Sequence, residues 1–452
     1  MITRLEAMRY RCFARLGVDV GDFRVLVGAN GSGKTTLLDL PCLFGDLLDA
    51  KNVADAFMSR RPARLDLPPR AGSLRELVFA GLGGDFSLAV EARLPDTVQS
   101  AVLEGMYVRT TTERARQSLQ VDRRRWPTHI RYELGLRVTD DHELHVIYEY
   151  LFIFPESHAP DRKQGGYHGA QAEANKHWRV ILKREFGYDT EFTPEVPMGS
   201  PKGRSTKVGL APTLLAMPRV LRESEHEYPA SRWLHELLAA EAVFLQPNWS
   251  TMRIASPPGL PKGIAADGRN IPWLALDLKR QGAPEGAGPD YSSERFRDWV
   301  AHVQTALPQV AAIDVRERED DHHAYFLVGY RGGFKVPSAG LSDGTLRILS
   351  LTLLPYLSKQ PTILVTEEPE NGIHPRAIEA VLQSLSSMYD SQVWVSSHSP
   401  VVLASAKLEQ LLCARLTADG SVDMVSGNEH PRLKEWRGGI DLGSLFAAGV
   451  LG

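Results

Sequence analysis

Short apolar runs alternate with polar segments rich in glycine and proline along the 452-residue chain. Near the N-terminus, the β-branched run Phe23–Val27 predicts a strand, and residues 35–50 follow it with a helical pattern. The last quarter alternates in the same way, with predicted strands at 362–365 and 392–396 and predicted helices at 345–357 and 375–389. These elements fit an α/β fold.

The rest of the chain predicts a mixture of strands, helices and loops. The predictions are strands at 2–8, 17–20, 87–94, 130–138 and 144–154, helices at 112–125, 231–245 and 292–307, and a hairpin made by 313–318 and 324–330. Residues 62–72 and 256–268 are rich in proline and glycine and predict loops. No internal repeat at solenoid periods is present.

The nine residues GANGSGKTT, from Gly28 to Thr36, fit the phosphate-loop pattern G-x-x-x-x-G-K-[ST]. The strand before the loop and the helix after it supply the context that the pattern requires. Glycines let backbone N–H groups close around phosphate oxygens, a lysine adds positive charge, and a hydroxyl reaches Mg²⁺. The loop residues expected to bind the nucleotide are Gly28, Asn30, Gly31, Ser32, Gly33, Lys34, Thr35 and Thr36.

Three further motifs follow in the last quarter of the chain: LSDGTLR at 341–347, TEEPENGIHP at 366–375 and SSHSP at 396–400. An apolar strand that ends in acids brings Glu367 beside the phosphate loop, where it can hold the hydration shell of Mg²⁺. Glu368 can then orient or deprotonate an attacking water, and His398 can contact the γ-phosphate. Ser342 begins a helix, which offers a second anion-binding end.

The order of these motifs resembles that of ABC-type ATPases of the AAA family, in the branch shared by RecF-like, SMC-like and overcoming-lysogenisation-defect (OLD) proteins. EEPENGIHP, LSDGTLR and SSHSP are most similar to the OLD-like group. The resemblance covers the first fifty residues and about the last 115. It implies an α/β ATPase head, with halves at 1–100 and 336–452, split by a large inserted α+β region at 101–335.

The same resemblance implies roles for individual residues. Gly28, Gly33, Lys34 and Thr35 would contact phosphate and Mg²⁺, Glu367 would be the Walker B acid, Glu368 the catalytic base and His398 the switch histidine. Ser342 and Gly344 would form the signature, which contacts ATP bound to the opposite subunit. Arg11 matches an arginine that SMC-like heads place near the nucleotide. ATP, Mg²⁺ and a homodimer or higher homo-oligomer are therefore expected.

Two departures from the family pattern bear on the site. Glu367 replaces the more usual aspartate and is one methylene longer, so its contact with the metal can be direct or through water. No Q-loop glutamine is identifiable, and the corresponding stretch, residues 74–84, contains none.

Composition limits the classes of function. A net charge of −3, with 43% hydrophobic and 24% charged residues, is an ordinary globular profile and does not suggest a wholly basic coat for nucleic acid. Cys12, Cys42 and Cys413 are too few and too scattered for a disulfide framework, and no C-x-x-C pair suggests zinc. The N-terminus lacks the apolar core of a signal peptide, and no stretch approaches the length that spans a bilayer. We expect a cytoplasmic protein without a membrane partner.

Four segments have two interpretations each. Without the resemblance, Arg11 could clamp a nucleotide or lie on a solvated edge. The cluster Glu319 to His323 could bind metal or form a polar hairpin tip. The basic residues Arg114, Arg116 and Arg123 to Arg125 beside Trp126, with those between Lys176 and Lys207, could follow nucleic acid or face solvent. The apolar end at 443–452 could be core, a dimer contact or a partner surface.

Two functions are compatible with these motifs. OLD nucleases carry a Toprim metal domain after the ATPase, and the segment after His398 is too short for one. We therefore expect a standalone ATPase that dimerises on ATP and acts as sensor or scaffold for a separate effector, expected to be a nuclease, in bacterial defence against phage or foreign DNA. The alternative is a RecF-like or SMC-like ATPase that maintains or repairs DNA and binds it directly. A transporter subunit is disfavoured by the long insertion.

Overall fold

The structure is a computed structural model that describes residues 1–59, 68–109, 113, 117, 119, 121–162, 167–196, 205–223, 226–286, 288, 290–433 and 441–447. It has a mixed α/β fold with several sheets, so the predicted fold class is confirmed. The chain divides into two compact units. Met1–Gly21, Asn30–Ala242 and Ala414–Val425 form the first unit, and Asp22–Ala29, Val243–Cys413 and Ser426–Gly452 form the second.

The strands are numbered in chain order. They are β1 (Ile2–Tyr10), β2 (Phe13–Asp19), β3 (Phe23–Val27), β4 (Asp85–Arg93), β5 (His129–Val138), β6 (Leu144–Phe154), β7 (Arg179–Glu185), β8 (Thr190–Phe192), β9 (Thr206–Val208), β10 (Ala242–Leu245), β11 (Val310–Glu317), β12 (Ala324–Tyr330), β13 (Lys335–Pro337), β14 (Ile363–Glu367), β15 (Gln392–Ser396), β16 (Leu411–Leu416) and β17 (Val422–Ser426).

Two helices bear on the site. Lys34–Asp49 is called the phosphate-loop helix and Asp343–Leu353 the signature helix. The other α-helices of the first unit are Asp55–Met58, Asp96–Arg109, Gly169–Ala174, Met217–Glu223 and Pro229–Ala239. Those of the second unit are Trp249–Arg253, Ile271–Arg280, Glu294–Ala306, Pro375–Ser386, Pro400–Ser405 and Leu442–Ala447.

An antiparallel sheet with the strand order β2-β1-β4-β5-β6-β7-β8-β9 is the framework of the first unit. Tyr10 pairs with Phe13, so the β1–β2 hairpin turns through only two residues, Arg11 and Cys12. On the other side of the unit, a Cβ at Gly45 of the phosphate-loop helix would overlap the carbonyl of Leu238. Glycine is therefore required there for close helix packing.

Buried charges connect three neighbouring strands of this sheet. Arg131 on β5 is fully buried and contacts Glu6 and Glu91 at 2.7 Å and Glu133 at 2.6 Å. Arg4 on β1 shares Glu6, at 2.5 Å. The register explains the cluster, because Arg4 lies opposite Glu91 and Glu91 lies opposite Arg131. Each buried charge has partners, which is the condition under which a protein interior tolerates it.

The second unit is built on a sheet with the strand order β10-β14-β15-β3-β16, in which β14, β15, β3 and β16 run parallel. Its core is one apolar cluster that includes Val25, Trp299, Leu346, Val381 and Val395, all buried. Strands β11, β12 and β13 form a separate antiparallel sheet. Buried on both faces, the parallel strands have the near-continuous apolar sequences that such strands require.

Most predicted elements are found within a few residues of their expected bounds, and β3, β6 and β15 match them. The helix predicted at 231–245 is wrong in its second half. That helix ends at Ala239, and the apolar run Ala242–Leu245 forms β10 instead. Thr366 on β14 donates a hydrogen bond to the carbonyl of Leu245 at 2.9 Å, so pairing with the sheet overrides the helical pattern.

Some predictions fall on residues that the structure does not describe. The helix expected at 112–125 lies largely outside the described residues, and Arg123–Arg125 forms a single 3₁₀ turn. Arg114 and Arg116 lie outside them too, as do residues 197–204 of the basic segment and residues 448–452 of the apolar end.

Candidate nucleotide site

The phosphate loop has the backbone conformation that its glycines allow. Gly28, Gly31 and Gly33 have φ values of 145°, 75° and 77°. Gly33 is the N-cap of the phosphate-loop helix, and its carbonyl accepts a hydrogen bond from Leu37 N at 3.0 Å. Residues with side chains avoid this region of φ, so the pattern of glycines is explained by backbone geometry.

A cavity of about 410 Å³ opens beside the loop in the first unit. The predicted residues Arg11, Gly31, Ser32, Gly33, Lys34, Thr35 and Thr36 line it, together with Cys12, Arg70 and Glu76. Lys34 is buried, and its Nζ lies 3.5 Å from Ser32 Oγ. The helix N-terminus and the lysine make this cavity an anion-binding site in chemical character.

The tip of the β1–β2 hairpin forms one wall of the cavity. Arg11 has a φ of 51°, a left-handed conformation that is uncommon for a residue with a side chain. Its guanidinium donates to the carbonyl of Arg70. Cys12 packs on the loop so closely that a Cβ at Gly33 would lie 2.6 Å from its sulfur, and burial raises the pKa of the Cys12 thiol. Arg11 thus lines the phosphate-loop cavity, and a role beside a nucleotide stays a prediction.

Arg70 is not among the predicted site residues. Its guanidinium is buried between two acids of the phosphate-loop helix, Asp39 at 2.5 Å and Asp46 at 2.7 Å. Burial opposes its charge, but the two aspartates outweigh burial and raise the pKa of Arg70. Arg70 thus fixes both the helix and the side chain of Arg11. In the sequence, the signal that could have indicated a buried cation is the pair of acids Asp39 and Asp46, seven residues apart on one face of the helix.

Residues 74–84, the stretch that corresponds to a Q-loop, reach the cavity through Glu76. The backbone connects this stretch to the hairpin tip, because Arg11 N donates to Leu77 O at 2.9 Å. Hydrogen bonds from Gly72 N and the Ser73 hydroxyl hold the pKa of Glu76 below its usual value. The stretch therefore contributes an ionised carboxylate to the cavity instead of a glutamine amide.

The acids and the histidine predicted for catalysis meet at one edge of the parallel sheet in the second unit. Glu367, the last residue of β14, pairs with Ser396, the last residue of β15. Just beyond the two strands, Glu368 Oε1 lies 3.9 Å from His398 Nε2. Both side chains are part-exposed, at 43% and 30%. The carboxyl ends of parallel strands thus place a carboxylate and an imidazole together.

Glu368 is held in an unusual backbone conformation, with a φ of 42°. Its N–H donates to Ser396 O at 2.9 Å, and its carbonyl accepts from Asn371 N at 2.9 Å. Such conformations are costly and occur at functional sites when the surrounding structure enforces them. The strain at Glu368 is consistent with an active-site role for its carboxylate.

A third acid of the same loop, Glu370, is buried beside the SSHSP segment. Its Oε1 accepts a hydrogen bond from the Ser397 hydroxyl, and Ser399 N donates to that hydroxyl at 3.0 Å. Burial raises the pKa of Glu370. The hydrogen-bonded pair of Glu370 and Ser397 fixes the turn that carries His398.

The signature helix begins at the predicted serine. Ser342 is its N-cap and accepts a hydrogen bond from Thr345 N at 3.2 Å. Gly344 packs within its own chain, because a Cβ there would lie 2.7 Å from the carbonyl of Gly372. The glycine is therefore needed for packing against the loop after β14, independently of the nucleotide contact expected for the signature.

The other segments with open interpretations have structural explanations. At the β11–β12 tip, His322 lies 2.8 Å from Glu317 and Arg318 lies 2.9 Å from Asp321. These ion pairs fit a polar hairpin end. No group of three or more metal-capable side chains is found among the described residues. Trp126 stacks under Arg123 at 5.3 Å and donates to Leu119 O at 2.9 Å. Within the described helices, none is long and apolar enough to cross a bilayer.

Residues 284–404 match the protein-family model described as "AAA domain, putative AbiEii toxin, Type IV TA system". The matched stretch contains Ser342, Gly344, Glu367, Glu368 and His398. No curated protein matches the chain by sequence.

Among solved structures, the chain is similar to heads of SMC proteins. An SMC head bound to the C-winged helix domain of ScpA is 12% identical, with a TM-score of 0.48 over 94% of this chain and 97% of that one. An SMC head with an extended coiled coil, bound to the C-terminal domain of ScpA derived from Pyrococcus furiosus, is 12% identical, with a TM-score of 0.42 over 94% and 95%. The SMC head domain from Thermotoga maritima is 11% identical, with a TM-score of 0.38 over 94% and 98%.

The phosphate loop, the order of the later motifs and the AAA-domain match support one biochemical class. They support a P-loop ATPase with an AAA domain.

Proposed function

We propose that the chain binds and hydrolyses ATP, dimerises on it, and acts as the sensor or scaffold of a separate effector, in the manner of a standalone OLD-like ATPase. The observation that carries the proposal is the phosphate-loop cavity, in which Lys34, Thr35 and Arg11 surround a helix N-terminus. In this proposal the nucleotide machinery is residues 1–100 and 336–452, and 101–335 is the accessory region.

The residues present suit a magnesium triphosphate. The Thr35 hydroxyl and the Glu367 carboxylate are hard oxygen ligands of the kind that Mg²⁺ prefers. Bound there, Mg²⁺ would neutralise part of the triphosphate charge. The loop amides and Lys34 hold the phosphates, Glu368 orients and deprotonates water, and His398 donates to the γ-phosphate. Ser342 and Gly344 present the signature helix to a nucleotide held by a second copy.

The role in bacterial defence is supported by the wording of the matched family, which names a putative AbiEii toxin and a Type IV TA system. We propose that the effector is an enzyme on a separate chain, such as a nuclease. The ATPase would then report a trigger to this enzyme through its ATP-bound dimer.

Replacing Glu368 with glutamine tests this function. We expect Glu368→Gln to bind ATP, to lose hydrolysis by roughly a hundredfold or more because the general base is gone, and to accumulate as a dimer. Hydrolysis is measured as phosphate release, and mass by light scattering with ATP and Mg²⁺. Lys34→Ala should neither bind nor dimerise. The exposed Glu379, on helix Pro375–Ser386, gives a matched Glu379→Gln control with wild-type turnover.

The same trapped variant identifies the partner. Tagged Glu368→Gln protein is isolated from its native host with ATP present, and the bound molecules are identified by mass spectrometry and nuclease digestion. A copurifying enzyme supports the scaffold. ATP-stimulated, salt-sensitive DNA binding by the purified protein alone would instead favour a RecF-like or SMC-like role. Normal turnover in Glu368→Gln would remove Glu368 from the mechanism.

A further inference from the structure

Arg347, one turn into the signature helix, makes a contact that its motif does not predict. Its Nη1 donates to the carbonyl of Glu368 at 3.0 Å. That carbonyl also accepts from Asn371 N, while Glu368 N donates to Ser396 O. The backbone of Glu368 is therefore held from both sides, and its φ of 42° is maintained by three hydrogen bonds.

Two contacts hold the side chain of Arg347. The guanidinium stacks on the ring of Trp249, with Cζ 4.5 Å from the ring centroid, and Nη1 donates to the carbonyl of Glu368. Its Nε is buried and has no hydrogen-bond partner among the described residues. The bond to Glu368 is thus a defined contact of a guanidinium whose position the stack also fixes.

A second contact joins the same two segments. Gly344, at the start of the signature helix, lies against the carbonyl of Gly372, four residues after Glu368. Arg347 and Gly344 thus touch opposite ends of one loop, residues 368–372.

We propose that Arg347 is a positioning residue for Glu368, which keeps its backbone left-handed and its carboxylate in place for hydrolysis. The inference rests on the proposed ATPase function. A charge-assisted hydrogen bond and the cost of one strained non-glycine residue are of the same order, so one guanidinium suffices to hold this conformation. Without it, residue 368 relaxes and its carboxylate moves away from His398.

Loss of Arg347 should affect the rate of ATP hydrolysis and leave the binding of ATP unchanged. Arg347 contacts the backbone of Glu368 and is not among the described residues that line the phosphate-loop cavity, so ATP affinity should not depend on it. A displacement of a catalytic group by about 1 Å costs on the order of a hundredfold in rate. We expect Arg347→Ala to lower kcat by roughly tenfold to a hundredfold, with KM for ATP unchanged, and to accumulate the ATP-bound dimer as Glu368→Gln does.

The test compares three variants with the wild type in steady-state ATP hydrolysis. Arg347→Lys retains a cationic donor and should recover part of the kcat that Arg347→Ala loses. Arg253→Ala is the matched control, since Arg253 bonds Leu341 O at 3.2 Å and Asp343 at 2.7 Å at the same helix but does not touch the 368–372 loop in the described contacts. It should keep the kcat of the wild type even if it lowers stability.

Three outcomes would overturn the proposal. They are an unchanged kcat in Arg347→Ala, an equal loss in Arg253→Ala, and a loss confined to KM. If Arg347→Ala does not fold, the comparison of Arg347→Lys with Arg347→Gln decides, because only the lysine keeps the charge. Failure of the underlying function would look different, since the wild type itself would then not hydrolyse ATP.

Discussion

At the scale of single residues, the candidate site combines side chains with backbone conformations that those side chains disfavour. Arg9, Arg11 and Glu368 all have positive φ, and none is glycine. A left-handed residue with a Cβ costs about 1 kcal/mol or more relative to glycine. Arg11 lines the phosphate-loop cavity and Arg9 does not, so the two arginines allow backbone strain to be separated from function.

We expect Arg11→Gly to fold as stably as the wild type, because relief of strain offsets the entropy of glycine and the lost bond to Arg70. Its affinity for ATP should fall roughly tenfold, since a charge-assisted hydrogen bond contributes about 1.5 kcal/mol or more. Titration with a fluorescent ATP analogue and urea unfolding measure the two effects. Arg9→Gly, which relieves similar strain outside the cavity, should bind as the wild type does. Equal affinities for all three proteins would place Arg11 outside the site.

At the scale of elements, the signature helix depends on its first residue for two separate reasons. Ser342 caps the helix, and it is also the residue expected to face a nucleotide of a second copy. Loss of an N-cap side chain costs about 1 kcal/mol, whereas aspartate caps a helix as well as serine does. Aspartate therefore keeps the cap and adds a negative charge where a triphosphate is expected.

The prediction is that Ser342→Ala lowers stability by about 1 kcal/mol, while Ser342→Asp keeps it and abolishes both hydrolysis and ATP-dependent dimerisation. Urea unfolding and light scattering with ATP measure these quantities. Ser293, the N-cap of helix Glu294–Ala306, gives the control, because Ser293→Ala should destabilise without affecting turnover per folded molecule. An ATP-dependent dimer formed by Ser342→Asp would contradict the signature role.

Sequence reasoning located the elements of the site well because their signals are local. The phosphate loop, the ends of β14 and β15 and the cap at Ser342 each follow from a few consecutive residues. Arg70 and Arg347 were missed for the opposite reason. Their partners lie 31 and 21 positions away in sequence, at Asp39 and Glu368, and no period or motif links such positions.

The predicted helix over 231–245 failed for a related reason. The run at 242–245 is apolar enough for either a helix or a strand, and only the neighbouring strand β14 decides between them. At Gly344, sequence reasoning found one role of the residue and missed another. The motif assigned it to the nucleotide, but the structure adds a packing requirement against Gly372 that alone forbids a side chain.

At the scale of the whole molecule, both units have a buried apolar core. The sheet of the first unit also contains the buried charges around Arg131. His168 lies in that network, 3.1 Å from Glu133. Burial favours its neutral form, but the hydrogen bond and the charge of Glu133 outweigh burial and raise the pKa of His168. His168 therefore binds its proton more tightly in the folded unit than in the unfolded chain.

A group whose pKa is raised on folding stabilises fully below its unfolded value, here 6.5, and loses this contribution as pH rises through the folded pKa. His168→Asn should therefore be most destabilising relative to wild type below pH 6.5, and the difference should shrink as the pH rises above that value. Urea midpoints at several pH values measure it. His145, which meets the exposed Glu143, provides the control His145→Asn, which should change stability only slightly. A gap that widened with pH would mean that His168 is neutral in the folded state.

The ion pairs of Arg70 have an evolutionary consequence. An arginine buried between Asp39 and Asp46 cannot be replaced alone, since removal of one partner leaves an uncompensated charge at a cost of about 3–5 kcal/mol. Homologues should therefore change these three positions together, or keep all three. Because the carbonyl of Arg70 also anchors Arg11, lineages that exchange the trio for apolar residues should show a different residue at position 11 as well.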